Sequence, residues 1–214
     1  MFVVIEGPDW VGKTTLAEEV SKALKADAHF SKEVIVTKEP GGTKVGKKIR
    51  EILFDASQDI DPATETLLFL ADRAQHSKEV LSKSSDECLI ISDRYNISNV
   101  VYQALIKRAV DLSFIEKIEK KLNFPVPDLV IILTAEKPLG KKEDNFLEKF
   151  NCSWNDLNQA YRDFFLEANF GIFNYPKVLI DMTNKTKEEA AKIVADIIRA
   201  YDTLDTLKMK RFVL

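Results

Sequence analysis

The stretch FVVIEGPDWVGKTT, residues 2–15, decides which kind of fold this chain can adopt. It begins with the continuous apolar run Phe2 to Ile5, which is typical of a strand covered on both faces. Gly7 to Thr14 then fit the pattern G-x-x-x-x-G-K-S/T of a phosphate-binding loop, and a helical pattern follows from Thr14 to Leu24. The segment therefore predicts a strand, a phosphate loop and a helix in direct succession.

The residue types of this loop suit a nucleoside triphosphate. Its glycines let successive backbone N–H groups turn toward a polyphosphate, and the following helix contributes its positive end. Lys13 has the reach to contact the β- and γ-phosphates, and the Thr14 hydroxyl suits a Mg²⁺ ligand. The loop residues expected to bind the triphosphate are Gly7, Pro8, Asp9, Trp10, Val11, Gly12, Lys13, Thr14 and Thr15.

Four further apolar runs recur along the chain: Val34 to Val36, Leu89 to Ile91, Leu129 to Leu133, and Val178 to Ile180. Helical patterns lie between these runs. Such alternation predicts a doubly wound α/β fold, with a five-stranded parallel sheet flanked by helices. Ligands of such sheets bind beyond the carboxyl ends of the strands, where the phosphate loop lies. The basic and apolar tail after residue 207 indicates a strand or helix extension, packed locally or on a partner subunit.

The later helices are indicated by how they start. Pro62 to Leu81 is preceded by Asp61, and Ser153 to Phe165 carries apolar residues at helical spacing. A capping box, in which a Ser or Thr pairs with a Glu three residues later, marks the start of a helix. Two such boxes predict further helices: Ser113 with Glu116, and Thr186 with Glu189.

The composition argues against several classes of protein. The 214 residues carry 31 Lys and Arg against 34 Asp and Glu, and a net charge of −3 offers no basic footprint for nucleic acid. The longest apolar runs are far too short to cross a bilayer, and we expect no secretory leader before the first strand. Cys88 and Cys152 match no metal or redox spacing, which favours a reducing, cytoplasmic location.

Asp93 ends the apolar run of the third predicted strand. In a protein with a phosphate loop, an acidic residue at this place is the natural partner of the Mg²⁺ ion, through a water molecule. An aspartate after a strand also serves as a turn or capping residue, and Asp93 with Arg94 would equally make a structural ion pair. The phosphate loop makes the metal role the favoured interpretation.

Several polar segments follow the second and third strands or lie in the long predicted helix. They are Glu39-Pro-Gly-Gly-Thr43, Ile49-Arg50, Phe69-Leu-Ala-Asp-Arg-Ala-Gln-His76, Asp93-Arg94-Tyr95, Ser98-Asn99 and Tyr102-Gln103. Together with the phosphate loop, and in this order, they resemble the thymidylate kinase family of nucleoside monophosphate kinases. The resemblance is dense over residues 1 to about 105 and thins to Pro127-Asp128-Leu129 and Leu179-Ile180-Asp181 beyond them.

The resemblance implies a pyrimidine pocket. Phe69 would stack on a thymine ring, and Arg73 would hydrogen-bond a base carbonyl. Asn99 and Gln103 would read the edge of the pyrimidine. The spacing agrees, because residues at i and i+4 share a helix face and can serve one base. The alternatives are a core role for Phe69 with Arg73 in a surface ion pair, and a helix-surface or capping role for His76.

The resemblance also implies roles around the sugar and the acceptor phosphate. Tyr102 would press on the sugar and favour the deoxy form, and Asp9 would hydrogen-bond the 3′-hydroxyl. Arg94 would hold the acceptor phosphate, with Arg50 as a helper.

The implied reaction is transfer of the γ-phosphate of ATP to dTMP, giving ADP and dTDP for dTTP biosynthesis. It needs no general base, because the second pKa of a phosphate monoester is about 6 and the acceptor is largely a dianion at pH 7. Lys13, Arg94 and Asp9 are the expected catalytic residues, and the resemblance implies a homodimer. The alternatives are a kinase of another pyrimidine nucleotide or of a deoxynucleoside, and an ATP-binding regulator that has lost phosphate transfer.

The chain departs from the family pattern at one place. Members of the family carry an arginine in the phosphate loop or in a lid. This loop has Trp10 instead, and the expected lid, residues 136–150 of a single domain spanning 1–214, offers lysines but no arginine. Trp10 would stack on a base or sugar, cover the site, or pack against the lid.

Lysine is a point charge that lacks the planar fork of arginine, so the exchange is not neutral. Our hypothesis is that Lys141 or Lys142 replaces the missing arginine on the transferring phosphate, with Arg162 as a further candidate. The lid also holds Lys137 and Lys149, and a run of lysines is commonly just a solvated face.

Overall fold

A parallel β-sheet lies at the centre of the protein. The computed structural model describes residues 1–140, 152–168 and 171–203, together with the backbone of residues 211–213. The strands in these ranges are β1 (Phe2–Glu6), β2 (Glu33–Lys38), β3 (Cys88–Asp93), β4 (Leu129–Thr134), β5 (Lys177–Asp181) and β6 (Arg211–Val213). They pair in the order β2-β3-β1-β4-β5-β6, and every pair is parallel.

The five predicted strands are confirmed, and so is the doubly wound α/β class. The C-terminal tail adds β6 at the β5 edge, with Arg211 opposite Lys177. Of the two forms expected for the tail, the strand is the one observed, and it pairs within the same chain.

Seven α-helices connect or flank the strands in the described ranges. They are α1 (Lys13–Lys25), α2 (Lys44–Phe54), α3 (Pro62–Glu79), α4 (Asn96–Asn99), α5 (Leu112–Leu122), α6 (Trp154–Glu167) and α7 (Lys187–Thr203). A π-helical segment, Val100–Ile106, continues α4. None of these helices combines the length and apolar character that crossing a membrane would require.

Most of the predicted helix starts agree with the structure. Asp61 accepts hydrogen bonds from the first turn of α3, and reciprocal capping boxes begin α6 at Ser153 and α7 at Thr186. The box predicted at Ser113 is wrong. The residue before the first turn of α5 is Asp111, so Ser113 already lies inside the helix and is not its N-cap.

The burial of the strands explains their sequence patterns. Every residue of β1, β3 and β4 is buried, because each of these strands has a neighbour on both edges and is covered by helices. Strand β2 lies at an edge of the sheet, and only Val34 of its six residues is fully buried. Cys88, in β3, is a buried thiol of the core.

The topology brings chemically distinct residues to one edge. In a parallel sheet all carboxyl ends meet on the same side, so Glu6, Lys38, Asp93 and Thr134 end neighbouring strands beside one another. The phosphate loop follows Glu6 directly. This edge is therefore where a ligand site is expected.

Candidate functional site

A cavity of about 920 Å³ lies at this edge of the sheet. Its walls come from the segments that follow strands β1 to β5, and from helices α2 and α3. Every residue that the sequence predicts for the acceptor lines this cavity, and so do Asp93 and the loop residues Asp9 to Thr15. The structure thus brings the two predicted halves of the site into one space.

The phosphate loop needs glycine at its first position. Gly7 has φ 142°, and a Cβ there would lie 2.5 Å from the backbone oxygen of Leu133. Gly12, with φ 94°, precedes the first residue of α1. Gly7 and Pro8 do not line the cavity. Their carbonyls instead accept hydrogen bonds from cationic side chains at the site.

Lys13 is held inside the loop. Its Nζ donates to the Pro8 carbonyl at 2.6 Å, and the side chain is buried. Burial, and then the positive charge of Arg94, lower the pKa of Lys13 to about 8. A triphosphate in the loop would supply the negative charge that this buried ammonium lacks.

Thr14 and Asp93 form a pair that fits a divalent cation. The Thr14 hydroxyl donates to Oδ2 of Asp93. The other oxygen, Oδ1, is buried and has no hydrogen-bond partner in the part of the chain that the structure describes. The same ranges hold no cluster of three or more His, Cys, Asp or Glu that would bind a metal alone. This donor set suits Mg²⁺, which usually keeps several waters and takes phosphate oxygens as ligands.

Arg94 connects the phosphate loop to the acceptor side. Its Nη1 donates to the Gly7 carbonyl at 3.1 Å, and its Nη2 pairs with the Asp9 carboxylate. The Tyr102 hydroxyl donates to the other oxygen of Asp9 at 2.6 Å. Burial opposes ionisation of Asp9, but Arg94, Lys13 and these hydrogen bonds hold its pKa below the ordinary value. Asp93 and Arg94 therefore have separate partners and do not form the simple ion pair that was the alternative.

Glu6 is a site residue that the sequence patterns did not identify. It is fully buried and accepts hydrogen bonds from the backbone N–H of Tyr95 at 2.8 Å and from the Ser98 hydroxyl at 2.6 Å. Burial raises the pKa of Glu6 above its ordinary value. The Ser98 hydroxyl in turn accepts a hydrogen bond from Arg94 at 2.9 Å, so Glu6 helps to position the Arg94 side chain through Ser98. A carboxylate ending an apolar strand immediately before the loop was the available signal.

Arg73 lies deep beneath the acceptor end. Its Nε donates to Glu39 at 2.9 Å and its Nη1 to Glu119 at 2.8 Å, and the guanidinium stacks over Tyr95 at 4.6 Å. Burial acts against its charge, but the two carboxylates hold the pKa of Arg73 above its ordinary value. Arg73 is 2% exposed, so the alternative of a surface ion pair is wrong. Glu119 lies 46 residues away along the chain, and no local pattern marked it.

The predicted position of His76 on the helix surface is wrong. It is fully buried rather than on the helix surface, with Nδ1 2.8 Å from Glu39 and Nε2 2.7 Å from the Thr37 hydroxyl. Its neighbour Asp72 accepts from the Gly41 N–H at 3.0 Å. Burial, and then the charge of Glu39, raise the pKa of Asp72 to about 6. These side chains brace the loop that follows β2.

The remaining residues predicted for the acceptor also line the cavity. Phe69 is half-buried and faces the cavity rather than the core. Asn99 donates through Nδ2 to Oε1 of Gln103 at 3.1 Å, and its own Oδ1 is buried without a donor among the described residues. Arg50 donates to the Pro40 carbonyl at 3.0 Å and stacks over Phe54 at 4.5 Å.

Trp10 contacts the start of the expected lid. The N–H of Leu139 donates to the Trp10 carbonyl at 2.9 Å, and a Cβ at Gly140 would lie 3.4 Å from the Cβ of Trp10. Trp10 therefore contacts Leu139 and Gly140, which belong to the part of the expected lid that the structure describes. Lys141 and Lys142 lie outside the described residues, as does Lys149.

Arg162 does not line the cavity and instead pairs with Asp181 at 3.0 Å. Its partner in the described part of the chain thus lies outside the cavity.

Comparison with known proteins agrees with this geometry. A family model described as "Thymidylate kinase" matches residues 5–197. A thymidylate kinase of Caldicellulosiruptor saccharolyticus is 42% identical over 216 residues, covering 98% of this chain and 98% of that protein. One of Malacoplasma penetrans is 39% identical over 208 residues, covering 92% and 95%. The crystal structure of thymidylate kinase from Ehrlichia chaffeensis shares the fold, with a TM-score of 0.70 at 24% identity, covering 94% of this chain and 97% of that one.

We predict that ATP affinity falls as the pH rises through the pKa of Lys13. Below about pH 8 the ammonium is charged and attracts the triphosphate, whereas at pH 9 only about a tenth of it is charged in the free protein. Calorimetric titration should therefore show a dissociation constant for ATP about tenfold higher at pH 9 than at pH 7. Adenosine, and ATP with the Lys13→Met variant, should show little change. A constant affinity of the wild-type protein for ATP over this range would contradict the assignment.

Proposed function

The chain belongs to the thymidylate kinase family, and we propose that it transfers the γ-phosphate of ATP to dTMP, giving ADP and dTDP. The product would enter dTTP biosynthesis, in the cytoplasm. The observation that carries the proposal is a single cavity lined both by the phosphate loop and by Phe69, Arg73 and Asn99. A nucleoside triphosphate and a pyrimidine monophosphate can thus meet within one cavity.

On the donor side, the loop would hold the triphosphate while Thr14 and Asp93 hold Mg²⁺. A Mg²⁺ ion held there would neutralise part of the negative charge that develops on the phosphates during transfer. Lys13 would leave the Pro8 carbonyl and bind the β- and γ-phosphates. The pKa of Lys13 would then rise, because the phosphates replace a neutral partner with negative charge.

On the acceptor side, Arg94 would hold the phosphate of dTMP. Arg94 lines the cavity, and its guanidinium already pairs there with one anionic group, the Asp9 carboxylate. The acceptor phosphate would take the place of Asp9 at part of this guanidinium. Asp9 would then be available to accept from the 3′-hydroxyl, with Tyr102 against the sugar. Alignment and charge neutralisation are sufficient, because the acceptor is already a dianion.

The base end offers a donor and an acceptor in complementary positions. Arg73 uses Nε and Nη1 for its two carboxylates, and Nη2 has no partner in the described ranges, so it would donate to a base carbonyl. Oδ1 of Asn99 would accept from the N3–H of thymine. Phe69 would stack on the ring. Cytosine lacks the N3–H, so this arrangement favours dTMP over dCMP.

A catalytically impaired ATP-binding regulator, the other class considered, is not favoured. Lys13, Asp93 and Arg94 are all present and line the same cavity. The finer question of dTMP against dUMP depends on one methyl group, which is worth about 1–3 kcal/mol in an apolar pocket.

The test of the proposed function is a coupled ADP-release assay with dTMP, dUMP, dCMP, dGMP and thymidine. We expect the highest kcat/KM with dTMP. Lys13→Ala should lower turnover by orders of magnitude without loss of the fold, whereas Lys25→Ala, an exposed lysine on the same helix, should not. Binding of ATP and dTMP without ADP formation, or a Lys13→Ala variant as fast as the wild type, would refute the proposal.

We further propose that Lys141 or Lys142 contacts the transferring phosphate. Alanine at both positions should lower kcat by about a hundredfold at saturating substrates, because a charge close to the reacting phosphate is lost. Lys137→Ala, at an exposed position near the start of the lid, is the matched control. Unchanged turnover of the double variant would rule out the lysine hypothesis.

A homodimer is also proposed, on helices α2 and α3. These helices pack on each other and expose Val45, Ile52 and Leu67, with relative exposures of 48%, 48% and 54%. Light scattering should give twice the mass of one chain, and Ile52→Lys with Leu67→Lys should give the mass of one. A wild-type protein with the mass of a single chain would contradict the dimer.

A further inference from the structure

A chain of hydrogen bonds runs from the surface into the base end of the cavity. Lys107 donates to Oε2 of Glu65 at 2.6 Å, and Nε2 of Gln103 donates to the same oxygen at 3.3 Å. Oε1 of Gln103 then accepts from Nδ2 of Asn99 at 3.1 Å. The four side chains come from α3, from α4 and its π-helical continuation, and from the residue that follows.

The first acceptor in this chain determines the direction of every bond after it. A carboxylate only accepts hydrogen bonds, so Gln103 must present its NH₂ group to Glu65 and its carbonyl to Asn99. Asn99 must then present its own NH₂ group to Gln103. Its Oδ1 is left to face the cavity as an acceptor. An amide can otherwise turn over at little steric cost, since its oxygen and nitrogen are nearly equal in size.

Because these amides are buried, the direction of their hydrogen bonds affects which base can bind. Gln103 and Asn99 are 1% and 2% exposed, and both line the cavity. Oδ1 of Asn99 is buried with no donor in the described part of the chain, and a buried acceptor without a donor is costly. A ring N–H of thymine or uracil would satisfy it. We call the hydrogen bonds from Glu65 through Gln103 to Asn99 the amide relay. If the donors and acceptors of this relay were reversed, Asn99 would present N–H to the cavity, which suits the N3 acceptor of cytosine.

We propose that Glu65 is a positioning residue that sets the base specificity of the site by fixing the direction of this amide relay. Glu65 does not line the cavity and acts only through Gln103 and Asn99. Lys107 neutralises the carboxylate, with relative side-chain exposures of 14% for the lysine and 13% for the glutamate. The inference rests on the proposed function for the identity of the acceptor nucleotide. It adds a residue that influences base specificity without lining the cavity.

The test is the affinity of the protein for dTMP and dCMP, measured by calorimetry without ATP, in the wild type and in Glu65→Gln. A glutamine at position 65 either accepts from Gln103 or donates to it, so the relay loses its single direction. We expect the preference for dTMP over dCMP to narrow about tenfold in this variant, mainly through weaker dTMP binding. The thermal unfolding midpoint and the ATP affinity should stay close to those of the wild type.

Two matched variants distinguish the effect of the relay's direction on the affinity ratio from the effect of losing an ion pair. Lys107→Met removes the cation but keeps the carboxylate as an acceptor, so the dTMP to dCMP ratio should stay near the wild-type value. Glu51→Gln removes the carboxylate of an exposed pair, in which Lys48 donates at 2.8 Å, and should change neither affinity. An unchanged ratio in Glu65→Gln, or the same change of ratio in Lys107→Met, would overturn the proposal.

The measurement also distinguishes this inference from the proposed function. A wild type that binds dTMP in preference to dCMP but releases no ADP would refute the kinase activity and leave the relay standing. A wild type that phosphorylates dTMP, with a ratio insensitive to Glu65→Gln, would refute only the relay.

Discussion

The guanidinium of Arg94 joins segments that lie far apart in the chain. It donates to the Gly7 carbonyl in the phosphate loop, to Ser98 on α4 and to Tyr161 on α6. Its backbone N–H donates to Ile5 at 2.9 Å, which ties its position to the pairing of β1 with β3. Arg94 therefore helps to fix the loop that would hold the donor relative to the pocket that would hold the acceptor. Glu6 supports that residue from the core, through Ser98.

The acceptor end is built on buried charges, which is an expensive arrangement unless every charge has a partner. Glu39 accepts from both Arg73 and His76, and Glu119 accepts from Arg73 and from Asn96. These paired groups hold the guanidinium of Arg73 in one orientation. A fixed guanidinium can donate its remaining N–H groups to a base. Binding then costs little side-chain conformational entropy, because the long side chain is already ordered.

The errors of the sequence analysis have both local and long-range causes. The Ser113 box failed because two nearby residues, Asp111 and Ser113, both suit a helix start, and local preference does not choose between them. The interpretation of His76 as a surface group failed because its partners, Thr37 and Glu39, lie 39 and 37 residues away. Helices α2 and α4 were not identified either, since α2 buries only three of its eleven residues and α4 is four residues long. The role of Glu65 likewise depends on contacts 38 and 42 residues distant.

By itself, the sequence determined the order of the five main strands, most of the helices and the phosphate loop, because these depend on short-range patterns: apolar runs, helical spacing, and glycines where a side chain has no room. Through resemblance to a family, it also named residues that line the cavity in the structure. Only the tertiary structure decided which of those residues meet, which of them are buried, and which way each amide and guanidinium points. Those properties depend on residues that become neighbours only when the chain folds, so no local sequence pattern predicts them.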